Sequence, residues 1–279
     1  MTNKSTPTKN RGQKPKPPVK WAGGKMQLLK QFEPLFPRKE YNLYLEPFVG
    51  GGAVFFHLLP PAAILIDSNA ELINFYQVVR DNLDQLLQDL EKHKNTKEYY
   101  YSLRALDPGN LSPVQRASRF LYLNKTAYNG LWRVNSKGKF NVPFGRYKNP
   151  RIIDKDNLQL VAEALKGVEL LSGDFSRVLE LAPPGAFVYL DPPYHPLSET
   201  ANFTSYTPGA FTREDQIRLH RVFAELDQRG CMVMLSNSDT PFIRTLYSHY
   251  DIRVVSARRA INCRPTGRGP VTELVVRNY

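Results

Sequence analysis

Short apolar runs that alternate with helical segments most constrain the fold of this chain. Five of them occupy residues 42–48, 62–67, 168–174, 186–191 and 231–237. Strands that are apolar along their whole length are buried on both faces, which is typical of a parallel sheet covered by helices. Two further runs, 252–258 and 272–279, flank a loop rich in Gly, Pro and Arg and predict a terminal antiparallel hairpin. We therefore predict an α/β fold with a doubly wound, Rossmann-like sheet.

A long gap separates the second predicted strand from the third. Residues 112–125 of this gap predict a helix from their apolar period, with Ser112 as the N-cap. Residues 126–149 are rich in Asn, Gly, Lys, Arg and aromatic side chains, and "RVNSKGKFNV" within them predicts a β-hairpin. We expect a mostly helical inserted domain that could determine specificity. The predicted divisions are a tail at 1–17, a main domain at 18–76 and 168–279, and the insertion at 77–167.

The chain is strongly basic, with 38 Lys and Arg against 26 Asp and Glu and a net charge of +12. This balance favours a polyanionic partner such as a nucleic acid. Residues 1–17 carry five basic side chains and no acid. They predict a disordered tail, which either attracts phosphates or keeps the chain soluble.

Several classes are disfavoured by what the sequence lacks. No run approaches the length of a membrane span, and the N-terminus has no apolar signal-peptide core. Neither the two cysteines, Cys231 and Cys263, nor the five histidines have metal-ligand spacing. We expect a cytoplasmic protein with reduced thiols, no metal requirement and a monomeric state.

The glycine-rich stretch "EPFVGGG" (46–52) follows the first predicted strand. Glycines at such a turn let the backbone approach a ligand closely, although a tight structural turn would also explain them. Phe55 stands where a dinucleotide fingerprint needs glycine, and "GGKM" lacks the features of a phosphate loop. Asp67 ends the second strand and, with the three glycines, is typical of a nucleoside site in which an acid binds ribose hydroxyls.

The stretch "FVYLDPPY" places Asp191 at the carboxyl end of a buried strand, where ligands gather in such sheets. Pro192 has no N–H, so the segment offers hydrogen-bond acceptors. Two acceptors and an aromatic face suit a planar ring that bears an exocyclic NH2 group, with Tyr194 stacked on the ring. The alternative is a strand-terminating turn with an incidental acid.

From Val19 onward the chain resembles the Dam-type DNA adenine-N6 methyltransferases. The resemblance rests on "VKWAGGK", "EPFVGGGAVF", "LIDSNAELINFYQVV", "LYLNKTAYNGLWRVNSKGKFNVPFGRY", "DPPYHPLSETANFTSY" and "LSNSDT" in this order. It implies S-adenosyl-L-methionine as methyl donor, adenine in double-stranded DNA as acceptor, and GATC as the target site. The insertion then corresponds to the target-recognition domain.

The resemblance also implies roles for individual residues. Asp191, Pro192 and Tyr194 are expected to be catalytic. The expected cofactor-binding residues are Trp21, Lys25, Phe48, Gly50, Asp67, Asp174, Phe175 and Asp191, although Asp174 could equally cap a helix. The expected DNA-binding residues are Lys20, Tyr128, Asn129, Leu131, Arg133, Pro143, Arg146 and Tyr147. Of these, Lys20, Leu131, Arg133 and Pro143 match positions that read bases, and Arg146 matches a phosphate contact.

The implied chemistry is attack by the adenine amino nitrogen, whose lone pair is delocalised into the ring. Hydrogen bonds from the NH2 group to Asp191 and to the Pro192 carbonyl would free that lone pair. An aspartate of ordinary pKa near 3.9 could hardly remove a proton before attack. Alternatives are an RNA or cytosine-N4 methyltransferase, or a DNA-binding protein with a degenerate methyltransferase fold.

Overall fold

The computed structural model describes residues 13–196, 211–258 and 270–279, and one seven-stranded sheet organises them. The strands follow the order β3-β2-β1-β4-β5-β7-β6 across the sheet. Strands β1 to β5 are parallel, and β7 pairs antiparallel with both β5 and β6. Their bounds are β1 Tyr44–Glu46, β2 Ala63–Asp67, β3 Glu169–Ser172, β4 Phe187–Leu190, β5 Met232–Ser238, β6 Asp251–Arg258 and β7 Pro270–Arg277. The predicted α/β sheet and its terminal hairpin are thus confirmed.

Helices cover both faces of the sheet, as apolar strands require. One buried cluster joins the sheet to α2, α3, α6 and α7, and a second joins it to α8, α9 and α10. The helices are α1 Leu29–Phe32, α2 Ala53–Leu58, α3 Ala70–Asp81, α4 Leu83–Leu90, α5 Lys97–Ala105, α6 Pro113–Thr126, α7 Lys155–Ala164, α8 Val178–Leu181, α9 Arg213–Gln228 and α10 Pro241–Leu246. None of the helices in the described ranges is long and apolar enough to cross a membrane.

The predicted helix at 112–125 is α6. The Ser112 side chain accepts a hydrogen bond from the Gln115 N–H, and the Gln115 side-chain oxygen accepts one from the Ser112 N–H. This capping box satisfies two backbone groups at the helix start. The predicted hairpin in "RVNSKGKFNV" is reduced to one antiparallel bridge, Val134 to Phe140, without a regular ladder. Two backbone hydrogen bonds flank this bridge, from the Asn141 N–H to the Arg133 carbonyl at 3.1 Å and from the Asn135 N–H to the Lys139 carbonyl at 2.9 Å, so the strands of the predicted hairpin do pair over a short length. The Asn135 side chain accepts from the N–H groups of Lys137 and Lys139 and closes the turn.

The insertion and the sheet share one core. Leu86 and Leu121 of the insertion belong to the same buried cluster as Leu65 of the sheet. The predicted boundary after residue 76 falls inside α3, which packs on β2 and β3 and also on α6. The division into domains therefore stays a prediction.

The predicted tail (1–17) lies partly outside the described residues, because the description starts at residue 13. Two of the five described residues form hydrogen bonds with the protein body, and the disorder of the tail stays a prediction. The Lys16 backbone exchanges two hydrogen bonds with the Asn157 side chain of α7, at 2.8 and 2.9 Å. Lys14 Nζ donates to the His57 carbonyl.

Candidate active site

A cavity of about 770 Å³ opens at the carboxyl ends of β1, β2 and β4. Ligand sites of doubly wound sheets form at this edge. The cavity brings together three motifs that are far apart in the sequence: residues 21–25, residues 46–52 and residues 191–194. Asp67 lies in the same lining.

The glycine loop after β1 is shaped by close contacts. Gly50 has a φ of +47°, and a Cβ there would lie 2.6 Å from Cδ1 of Trp21. The Gly50 N–H donates to Asp67 Oδ2 at 2.9 Å, and the Tyr76 hydroxyl donates to the Gly50 carbonyl at 2.8 Å. Asp67 Oδ1 accepts from the Asn69 N–H. Gly50 is therefore required for the conformation and for the approach of the Trp21 ring.

Asp191 lies at the end of β4 against Lys25. Lys25 Nζ is 2.7 Å from Asp191 Oδ1, with 4% of the lysine side chain and 18% of the aspartate side chain exposed. Burial raises the pKa of Asp191, and the Lys25 charge opposes that rise. The expectation of an ordinary pKa for Asp191 was wrong, since the sequence alone does not show that the carboxylate is desolvated. The same ammonium group lies 4.7 Å from the ring centroid of Tyr194.

Three buried polar side chains hold the backbone that follows Asp191. Gln216 Nε2 on α9 donates to the Pro193 carbonyl at 2.9 Å. Asn237 Oδ1 accepts from the His195 N–H at 3.2 Å, and Ser238 Oγ donates to the His195 carbonyl at 2.6 Å. Asn237 also donates to Gln216 Oε1. The motif "LSNSDT", to which no role was assigned, thus fixes the segment that carries Tyr194.

Glu46 is a buried acid in the cavity that the sequence reasoning did not assign. It is 2% exposed and accepts a hydrogen bond from the Tyr44 hydroxyl at 2.8 Å. Burial raises its pKa to about 8; the Tyr44 hydrogen bond opposes this rise and the Asp191 charge adds to it. Its position at the end of β1, like those of Asp67 at the end of β2 and Asp191 just after β4, was the available signal.

Asp174 and Phe175, two predicted cofactor residues, do not line the cavity. Asp174 accepts from the Ser176 N–H and is therefore a helix cap, which was one of its two interpretations. Its carboxylate also receives two hydrogen bonds from Arg218, at 2.7 and 2.9 Å, and these hold its pKa well below the ordinary value. Phe175 stacks on Phe48, which does line the cavity, with centroids 5.2 Å apart.

Several predicted DNA-binding residues meet on one surface of the insertion. Lys20 Nζ lies 4.3 Å above the Tyr147 ring, and the Lys20 backbone exchanges two hydrogen bonds with Asn124 of α6. Tyr128 is 54% exposed, and its N–H donates to the Pro143 carbonyl. We name these four residues, Lys20, Tyr128, Pro143 and Tyr147, the recognition surface.

The other predicted DNA-binding residues lie nearby or in the same segment. Asn129 and Arg146 have left-handed backbones, with φ of +53° and +57°. Arg133 is exposed, and its Nε donates to Asn141 Oδ1 at 2.7 Å. Leu131 is half-buried against the small core of the insertion. The sequence order alone could not show that Lys20, which lies far outside the insertion, joins this region.

Within the described ranges, no group of three or more His, Cys, Asp or Glu side chains could hold a metal ion. Cys231 is buried, and Cys263 lies outside the described residues.

The fold and site together define a class. A Rossmann-like sheet with an antiparallel terminal hairpin, a glycine loop after β1 and Asp-Pro-Pro-Tyr after β4 is the arrangement of the methyltransferases. Residues 21–261 match the D12 class N6 adenine-specific DNA methyltransferases, and the chain belongs to this family. The predicted family and enzyme class are thereby confirmed.

Proteins with similar sequences align with nearly the whole length of this chain. The type II methyltransferase M1.LlaDCHI of Lactococcus lactis subsp. cremoris is 47% identical over 272 residues, which cover 95% of each chain. The type II methyltransferase M.MjaIII of Methanocaldococcus jannaschii is 45% identical, covering 95% of this chain and 99% of its own. The DNA adenine methylase of Escherichia coli is 38% identical, covering 92% and 93%.

Proposed function

We propose that this enzyme transfers a methyl group from S-adenosyl-L-methionine to the amino nitrogen of a flipped adenine, in GATC sites of double-stranded DNA. The observation that carries the proposal is the contact of Asp191 with Lys25 beside the Tyr194 ring. An acceptor, a cation and an aromatic face thus lie at one edge of a cavity large enough for a nucleoside-sized donor.

The residues of the cavity fit the methyl donor. The absence of a Cβ at Gly50 lets the Trp21 ring pack against the loop backbone, and this ring can form one flat side of the donor site. Asp67 can accept hydrogen bonds from ribose hydroxyls, and Lys25 can receive a carboxylate. Glu46, which also lines the cavity, is expected to keep its proton near pH 7 and can therefore either donate or accept a hydrogen bond there. When bound, the donor supplies an electrophilic sulfonium methyl group.

Asp191 and the Pro192 carbonyl are proposed to accept the two hydrogens of the adenine amino group. The hydrogen bond to the Asp191 carboxylate is charge-assisted and worth about 1.5–3 kcal/mol, whereas the one to the neutral Pro192 carbonyl is worth about 0.5–1.5 kcal/mol; together they favour a pyramidal nitrogen. Burial raises the pKa of Asp191, and the Lys25 charge opposes that rise and so favours the ionised form that accepts. The proton leaves after methyl transfer, when the nitrogen is cationic, so positioning and electrostatics supply the acceleration.

The target adenine is paired inside the duplex and must leave the stack, which costs a few kcal/mol. Stacking on Tyr194 can return about 1–3 kcal/mol. Tyr128, 54% exposed on the recognition surface, is proposed to enter the helix near the extruded base, with Asn129 beside it.

Basic side chains beside the recognition surface suit the DNA backbone. Lys20, Lys125, Lys148 and Arg151 line a shared cleft in which Asp154 is the single acid. Burial, followed by the charge of Lys20, lowers the pKa of Lys125 to about 8. A cluster with such an excess of positive charge gains when a phosphate binds. Within the site, Lys20, Leu131, Arg133 and Pro143 are proposed to read bases, and Arg146 to contact a phosphate.

The test is methyl transfer from labelled donor to a GATC duplex and to a matched duplex in which GTAC replaces it. We expect N6-methyladenine in the first and none in the second. Modification of an adenine in another sequence would refute the GATC assignment. N4-methylcytosine, transfer to RNA, or DNA binding without transfer would support one of the alternatives and refute the proposal. Sedimentation would test the monomer prediction, and the cytoplasmic location stays a prediction.

A further inference from the structure

We propose that Glu273 is a positioning residue that fixes the Tyr194 ring for the target base. This inference rests on the proposed function. The Tyr194 hydroxyl donates to Glu273 Oε2 at 2.6 Å, across 79 residues of sequence. The contact therefore connects the terminal hairpin to the aromatic side chain of the Asp-Pro-Pro-Tyr segment.

The sheet places Glu273 at this point. In the antiparallel pair of β5 and β7, Glu273 lies opposite Ser238, and Ser238 binds the His195 carbonyl next to Tyr194. The tyrosine is thus held at its backbone from β5 and at its hydroxyl from β7. Two side-chain torsions set the orientation of the Tyr194 ring. Because the backbone beside it and its hydroxyl group are both held, the ring is restricted to one orientation.

Fixed orientation matters for a stacking platform. A ring that is already ordered loses little conformational freedom when the base arrives, so more of the stacking energy stabilises the extruded base. Lys25 supports the same geometry, because its ammonium group lies 4.7 Å from the ring centroid and 2.7 Å from Asp191. Loss of the hydroxyl anchor should therefore reduce methyl transfer more than DNA binding.

Glu273 also adds negative charge near Asp191. Burial is the main cause of the raised pKa of Asp191, and the Glu273 charge adds to it. Removing this charge should lower the pKa of Asp191, and the acid limb of the profile of methyl-transfer rate against pH should therefore shift to lower pH. A role restricted to sheet stability would not move that limb.

The experiment is a double-mutant cycle with Glu273→Ala, Tyr194→Phe and both changes together. Single-turnover methylation and the fluorescence of 2-aminopurine at the target position are measured for each. The two single variants should each lower the rate about tenfold, with smaller changes in DNA affinity. The double variant should be no slower than either, because both changes break one contact.

Controls separate this role from others. Glu273→Gln keeps an acceptor for the hydroxyl and should recover most of the rate, while its acid limb still shifts to lower pH. Glu225→Ala removes an exposed acid of α9, paired with Arg229, and should leave the rate unaltered. Should Glu273→Ala fail to fold, Tyr194→Phe and Glu273→Gln decide the question alone.

Additive losses in the cycle, or wild-type rates in both single variants, would overturn the inference. So would a Glu273→Gln variant as slow as Glu273→Ala. If the wild-type enzyme methylates no adenine, the proposed function fails instead, and the two failures are distinguishable.

Discussion

The Gly50→Ala substitution tests the proposal that the glycine loop and the Trp21 ring packed on it bind the methyl donor. Two effects combine at this position. A side chain at a φ of +47° costs roughly 1–2 kcal/mol of backbone strain. The new Cβ would also lie 2.6 Å from Trp21 Cδ1 and 2.8 Å from Trp21 Nε1, so the indole ring must move.

Gly167 provides a matched control for the strain. It has a φ of +74°, and a Cβ there would meet nothing within 4 Å. Gly167→Ala should therefore lower the melting temperature through strain alone and leave donor affinity as in the wild type. Gly50→Ala should lower the melting temperature and also weaken donor binding at least tenfold, which corresponds to about 1.4 kcal/mol.

Calorimetric titration with the methyl donor, together with thermal melting of both variants, makes the comparison. The difference in donor affinity between Gly50→Ala and Gly167→Ala isolates the collision with Trp21. Equal donor affinity in the two variants would refute the claim that the Gly50 backbone and the Trp21 ring form the cofactor cradle.

Three other predictions concern the cavity residue Glu46, the buried Asn237 and the predicted DNA-binding residue Arg133. Because Glu46 keeps its proton to about pH 8 when folded but loses it near pH 4.5 when unfolded, stability should fall as pH rises between these values, by at most roughly 5 kcal/mol. Melting of Glu46→Gln should depend less on pH, and an unaltered slope would refute this. Asn237→Ala should lower the free energy of unfolding in urea by about 1–3 kcal/mol and slow methyl transfer, because Gln216 loses a buried partner. A wild-type rate would argue that Asn237 does not help to hold the segment that follows Asp191. Arg133→Ala should relax discrimination at one guanine by roughly 1–3 kcal/mol in competition binding, whereas a uniform loss would place Arg133 on the backbone.

Most of the sheet could be predicted because each strand carries its own signal. The apolar runs at residues 62–67 and 186–191 end where β2 and β4 end, to within one residue. Because β2 and β4 are parallel, their carboxyl ends lie at the same edge of the sheet. The acids at these ends were therefore expected to lie near each other. Asp67 and Asp191 do line one cavity.

Contacts between distant segments were not predictable in this way. The hydrogen bond between Tyr194 and Glu273 depends on the placement of β7 beside β5. The spacing of apolar residues in the sequence predicts strands but does not predict which strands are neighbours. The cap formed by Asp174 was one of two interpretations of that residue, and its ion pair with Arg218 could not be predicted because it depends on the position of α9. The raised pKa of Glu46 follows from burial, which depends on every element packed around it.

The proposed chemistry depends on Asp191 more than on any other side chain, and the Asp191→Ala variant examines this dependence without intermediate assumptions. Single-turnover transfer to a GATC duplex at saturating donor and DNA is compared with the wild type, and DNA affinity is measured in parallel. We predict a loss of about 10²-fold or more in transfer, with DNA affinity retained. Near-normal turnover in this variant would contradict the account.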